Sequence, residues 1–230
     1  AASAGLSSDL FRAGNAVLRG PRGSLSIASI FASALFGAVC GSSVATALTM
    51  SKVSIPQMLA AGYRPSLAAG SVAAGGTLGI LIPPSLILMI YAIIAQQSVG
   101  ELFIGAVIPG LLLSGLYILY VISRSYMNPE FGPALPVEER VDFATKLKLL
   151  RGIIAPIILV ILVLGVIFTG VATPVEAAGI GTFGALVVAS LHRRLNWEAV
   201  RQASLTTLKA SSMVLWIIFG ASIFVGFYIV

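Results

Sequence analysis

The residues Gly75-Gly76-Thr77-Leu78-Gly79-Ile80-Leu81-Ile82-Pro83-Pro84-Ser85 are the most informative stretch of this chain. They lie within an apolar run from Ser66 to Gln96. Three glycines and a Pro-Pro pair cannot continue a straight helix. In lipid, broken backbone persists only where it is buried in protein or lines a polar cavity. The chemistry expected is therefore binding of something polar at membrane depth. An unwound Gly75–Gly79 backbone would free carbonyl oxygens, and the hydroxyls of Ser42, Ser43, Thr46 and Thr77 could complete a cage for a small hard cation such as Na⁺. Ser42, Ser43, Gly75 and Gly79 are the Na⁺ candidates. Pro84 fits the first turn of a following half-helix. With Gly76, Pro83 and Ser85 it completes the candidate set, and the N-terminus of that half-helix would direct amide dipoles at a carboxylate.

Other chemistry finds little footing. Gly75 and Gly79 form a GxxxG pair, which helix packing alone would explain, but packing does not account for the adjacent prolines. No Gly-Lys-Ser/Thr follows, which excludes a phosphate-binding loop. No Asp, Glu, Lys or Arg falls within an apolar segment, so proton relays and voltage sensing are unsupported. The single Cys40 reads as a small packing residue, and His192, beside Arg193 and Arg194, as an interfacial residue. No His/Cys cluster indicates zinc, haem or iron–sulfur, and no span carries a catalytic acid or base. Neither an enzyme nor a resident cofactor is expected; Na⁺ would enter as coupling ion only.

The elements that hold these residues must be membrane helices. The chain of 230 residues is 58% hydrophobic and 10% charged, against about 25% charged in soluble domains. Continuous apolar runs, rather than alternating short strands, make it an all-α, polytopic helical membrane protein resting in a lipid bilayer. Its net charge of +6 does not indicate nucleic acid, because the basic residues sit in short connections where they set topology.

The apolar stretches run approximately over 25–50, 66–96, 102–122, 152–170, 177–191 and 211–230. Basic residues cluster in the connection 123–151 (Arg124, Arg140, Lys146, Lys148, Arg151) and in 192–210 (Arg193, Arg194, Arg201, Lys209), while 97–101 has none. Single crossings from 66 onward put every later basic connection on one side. The first stretch is basic on both flanks, with Arg22 before it and Lys52 after. A re-entrant hairpin over 25–50, turning in the small-residue run Gly37–Thr46, is the favoured reading. Each arm would have about eleven residues, or ~17 Å, and reach the middle of a ~30 Å core. The alternative is an ordinary span with small residues for close packing. The run 66–96 is too long for one straight span, at roughly 46 Å, and a break near 75–84 resolves this.

Four regions result: an amphipathic N-terminal stretch 1–24; a core 25–122 with hairpin 25–50, broken helix 66–96 and helix 102–122; a cytoplasmic amphipathic connector 123–151; and helices 152–170, 177–191 and 211–230 in 152–230. Asn128–Pro133 reads as a turn and Glu138–Leu150 as a surface helix. Thr173-Pro174-Val175-Glu176 and Asn196-Trp197-Glu198 read as capped helix starts. Both ends read as cut, making this a piece of a longer protein.

Gly41-Ser42-Ser43-Val44-Ala45-Thr46-Ala47, Gly62-Tyr63, Ala73–Ser85, Leu102-Phe103-Ile104-Gly105-Ala106-Val107-Ile108-Pro109-Gly110 and Gly170–Ala178 together resemble the large membrane subunit of the tripartite ATP-independent periplasmic (TRAP) transporters. The resemblance covers nearly the whole chain. It implies an elevator-type, inverted-repeat secondary transporter of the bacterial or archaeal cytoplasmic membrane, driven by Na⁺. It also implies an organic acid cargo such as a C4-dicarboxylate, a periplasmic substrate-binding protein and a small four-helix membrane subunit. By position, Ser42, Ser43 and Thr46 fall in the hairpin tip and Gly75–Ser85 in the unwound span. Such subunits carry two inverted repeats, so the resemblance makes 25–122 the first-repeat transport core and 152–230 the truncated start of the second. Only one glycine–proline motif is present here, so the chain would supply half a site. An ABC-type permease subunit and a non-catalytic helix-packing subunit are the alternatives.

Overall fold

The computed structural model describes residues 7–8, 10–12, 14–15, 21–134, 143–191 and 195–229. The His192–Arg194 cluster, connector residues 135–142 and most of the stretch 1–20 lie outside the described residues. The chain divides into two compact units, one ending at Ala185 and the other running on from Leu186.

In the first unit, α1 (Ser24–Cys40) and α2 (Ser43–Ala60) form a helical hairpin. Its tip is two residues, Gly41 and Ser42. Gly41 ends α1 in the left-handed region (φ 64°), its N–H bonding the Gly37 carbonyl at 2.6 Å, a conformation glycine adopts at no steric cost. Ser42 then caps α2, its Oγ accepting from Ala45 N–H at 3.4 Å. The hairpin is longer than its apolar stretch. The sequence places the end of the second arm near residue 50, but α2 runs past Lys52 to Ala60, because continued backbone hydrogen bonding and packing on the next helix decide where a helix ends, not hydropathy.

α3 (Pro65–Leu81) packs along both arms. Its small residues permit close approach. A Cβ on Gly75 would meet the Ser33 hydroxyl at 2.8 Å, one on Gly76 the Ala47 methyl at 2.7 Å, and one on Gly79 the Ser42 carbonyl at 2.9 Å. Around this seam Ile30, Phe36, Met50, Met58, Leu67, Val72 and Leu78 form the buried core.

α3 and α4 (Leu86–Ile94) make one span broken at residues 82–85 and bent by 41°. α5 (Val99–Met127), 29 residues long, is apolar enough to cross a membrane unaided, and at 1.5 Å per residue extends roughly 44 Å. The turn after it, closed by Phe131 N–H to Asn128 C=O, locks onto the hairpin base. Gly23 N–H bonds Gly132 C=O at 3.0 Å, and Arg64 N–H bonds Phe131 C=O at 3.2 Å. The guanidiniums of Arg64 and Arg124 both lie over the Phe131 ring, 4.5 and 4.4 Å from its centroid.

α6 (Phe143–Phe168) is one helix, so the later part of the expected surface helix runs straight into the apolar segment. α7 (Pro174–Leu191) starts with a capping box: Glu176 Oε2 accepts from both N–H and Oγ1 of Thr173 at 2.8 Å, and Thr173 Oγ1 accepts from Glu176 N–H. In the second unit, α8 (Trp197–Ile229) is capped by Asn196, whose Oδ1 accepts from Ala199 N–H at 2.7 Å. It is also long and apolar enough to cross a membrane over Trp197–Phe227. Leu215, Trp216, Phe219 and Phe224 on it are exposed.

Candidate functional site

The hairpin tip and the break in the α3–α4 span lie against each other. Leu86 N–H donates to Gly41 C=O at 3.3 Å. A Cβ on Gly41 would come within 3.1 Å of the Pro84 carbonyl oxygen and 3.8 Å of Ser85 Cα. Four helix ends therefore converge. The C-termini of α1 and α3 bring carbonyl oxygens and partial negative charge, while the N-termini of α2 and α4 bring partial positive charge. With it come those first-turn amides not already bonded to Gly41 C=O or to the Ser42 and Ser85 caps. The tip and the break together thus offer acceptors suited to a cation beside donors suited to an anion.

The break is not where the glycines suggest. Gly75, Gly76 and Gly79 are helical, because α3 continues to Leu81. The expected unwinding of Gly75–Gly79 is therefore replaced by a break at Ile82–Ser85. The physical reason is that a glycine only costs ~1 kcal/mol in a helix, which close packing against the hairpin offsets, whereas proline removes a donor outright. Ile82, ahead of Pro83, is extended (φ −82°, ψ 121°), as the residue before a proline prefers. Pro83 cannot donate to the Gly79 carbonyl, nor Pro84 to the Ile80 carbonyl. Ser85 Oγ donates to Ile80 C=O at 2.7 Å and also caps α4 by accepting from Leu88 N–H at 3.4 Å. Gly79 C=O keeps no i+4 partner. Of the glycine carbonyls expected to be freed, it is the one that proline chemistry does free.

Other candidates also shift. Pro84 precedes the Ser85 cap and stands outside the first turn of α4, where it was expected. Thr77 lies away from the tip; its hydroxyl bonds Ala74 C=O at 2.7 Å and meets Tyr117 OH of α5 at 3.2 Å. Thr46 is fully buried at the tip, its Oγ1 donating to Ser42 C=O at 2.7 Å and standing 2.9 Å from where a Gly79 Cβ would be. Ser43 is half-buried at the first position of α2. Cys40, expected as a packing residue, is exposed, because the last turn of α1 carries it off the face that meets α3. Residues 42, 43, 46, 79 and 83–85 are brought together, while Gly75 and Gly76 serve the seam one to two turns away and Thr77 faces α5. Sequence reasoning left Gly37 and Gly41 out of the site set. A glycine closing an apolar helix just before a serine cap was the available signal for Gly41.

Hairpin, broken span and tip-to-break contact define a polytopic helical membrane protein with the discontinuous-helix pattern of secondary transporters. The family model described as tripartite ATP-independent periplasmic transporter, DctM component, matches residues 1–230. The chain belongs to that family. It is 35% identical over 213 residues to the C4-dicarboxylate TRAP transporter large permease protein of Pseudomonas aeruginosa, covering 91% of this chain and 48% of the relative. The corresponding Vibrio cholerae protein is 37% identical over 169 residues, 74% of this chain and 36% of its own length. The ectoine/5-hydroxyectoine large permease protein of Ruegeria pomeroyi is 34% identical over 167 residues, 73% and 38% respectively. The chain thus spans half or less of the length of these relatives. Their permease names, and the ATP-independent family, give no support to the ABC-type alternative or to an enzyme.

Proposed function

We propose that this chain forms half of the membrane transport core of a sodium-coupled importer of organic acids, C4-dicarboxylates being the type cargo. It works in the bacterial inner membrane with a small four-helix membrane subunit, receiving cargo from a periplasmic binding protein. The convergence of four helix ends at Gly41–Ser42 and Pro84–Leu86 carries this reading. The Gly79 carbonyl, left without an i+4 donor by Pro83, and the lone pairs of the Thr46 hydroxyl are the oxygens for Na⁺. The N-termini capped by Ser42 and Ser85 accept the carboxylate. Hairpin and broken span, fused along the glycine seam and clasped at the base by Phe131, move together as one body in an elevator step.

The test is uptake by the complete transporter, with both membrane subunits and the binding protein, in proteoliposomes. Uptake of a C4-dicarboxylate under an inward Na⁺ gradient is expected to collapse when K⁺ replaces Na⁺. Equal uptake in both salts overturns sodium coupling, and no uptake of any organic acid overturns the cargo class.

A further inference from the structure

A groove of about 630 Å³ runs between α3 and α5 on the side away from the hairpin tip. Leu113, Leu116 and Tyr120 form one wall and Gly70 and Ala74 the other, with Arg124 at one end. We propose that this groove binds an anionic phospholipid of the cytoplasmic leaflet, its phosphate at Arg124 and one acyl chain along the groove.

Three observations carry this. The first is length. From Leu113 to Arg124 is eleven residues of α5, about 17 Å at 1.5 Å per residue, or one leaflet of a ~30 Å core. The groove ends there because α5 closes on the break: a Cβ on Gly110 would meet Ile82 Cγ1 at 3.0 Å. A crossing helix would need the cleft to continue, whereas a single acyl chain does not.

The second is charge. Arg124 and Arg64 share the Phe131 ring, yet only Arg64 has a carboxylate, Glu130 at 3.0 Å. Among the described residues Arg124 has no ion-pair partner, and it lies in the last turn of α5, next to the basic connector. That side is cytoplasmic by the distribution of positive charge, where anionic headgroups lie. The third is an open floor: a Cβ on Gly70 would meet nothing within 4 Å, so the acyl chain can lie on the helix backbone itself.

The test uses the complete transporter in detergent, titrated with phosphatidylglycerol and with phosphatidylcholine and read by native mass spectrometry. Phosphatidylglycerol is expected to be retained preferentially, and Arg124→Gln to lower its affinity roughly fivefold, with Arg124→Lys retaining most of it. Gly70→Trp, which puts an indole on a floor where a Cβ would meet nothing within 4 Å, is expected to lower retention with every arginine in place. Equal retention of the two lipids, or phosphatidylglycerol affinity unchanged in both Arg124→Gln and Gly70→Trp, overturns the proposal. A photoreactive residue at Leu116 gives an independent reading. A lipid adduct supports the proposal, and an adduct to another protein segment overturns it by showing that a helix fills the groove.

Discussion

Gly37 of the hairpin and Gly79 of the broken span meet backbone to backbone: a Cβ on Gly37 would stand 2.6 Å from Gly79 Cα and 3.0 Å from its nitrogen. Neither side has a flexible side chain able to give way. The same pair lies within one turn of both Gly41 and the break, so the contact that docks the hairpin also sets the geometry of the candidate site.

Gly37→Ala is therefore expected to destabilise the complete protein by about 1–3 kcal/mol through overpacking. Thermal unfolding in detergent checks this, with Gly105→Ala as control. Gly105 also lies in a helix, but its Cβ would meet nothing within 4 Å, and alanine there should be neutral or stabilising by about 0.5–1 kcal/mol. Equal effects at both positions would remove the packing account.

The proline pair makes a separate prediction. Pro83→Ala with Pro84→Ala returns donors to the Gly79 and Ile80 carbonyls, so the 41° bend should relax toward a straight span. Distances between spin labels on α3 and α4 should lengthen, and transport should fall by an order of magnitude or more while the protein remains folded. Full transport with a straightened span would show that the break is not needed.

Ser85 separates capping from cargo binding. Ser85→Ala removes both the α4 cap and the bond to Ile80 C=O, a loss of about 1 kcal/mol. Ser85→Gly keeps a favourable cap residue but also lacks the hydroxyl. If stability alone matters, the glycine variant should transport better than the alanine variant. If the hydroxyl acts in the site, both should show the same raised cargo requirement in uptake kinetics.

At the start of α7, hydrogen bonds from the backbone N–H and then the hydroxyl of Thr173 hold the Glu176 carboxyl below its ordinary value. A lowered folded-state value means stabilisation that is fully present above the ordinary carboxylate range and lost as pH falls through the folded-state value. Amide exchange in the first turn of α7 should accelerate on acidification in the native protein. Glu176→Gln should flatten that dependence, and identical pH profiles would refute the role of the carboxylate.

The helical class, the hairpin and the broken span were legible because they rest on local signals. Apolar run length, the basic flanks of residues 25–50 and the Pro83-Pro84 pair each act within a few residues of themselves. The exact site of the break was not legible in the same way. Glycine and proline both weaken helices on any local scale, and only contact with Ser33, Ala47 and Ser42 shows why Gly75, Gly76 and Gly79 remain helical. Thr77 was misplaced for a related reason, since the face it occupies is fixed by helix phase relative to α5 and the hairpin.

By itself, then, the sequence determined that this chain lives in a membrane, that one segment turns back and that another must break. These follow from hydropathy, charge asymmetry and the missing N–H of proline. The tertiary structure decided which carbonyls are freed, which hydroxyls are already spent on caps, and that tip and break touch through Gly41 and Leu86. Those outcomes depend on backbones meeting across forty residues of chain, where a methyl group's width separates a glycine that loosens a helix from one that lets two helices dock.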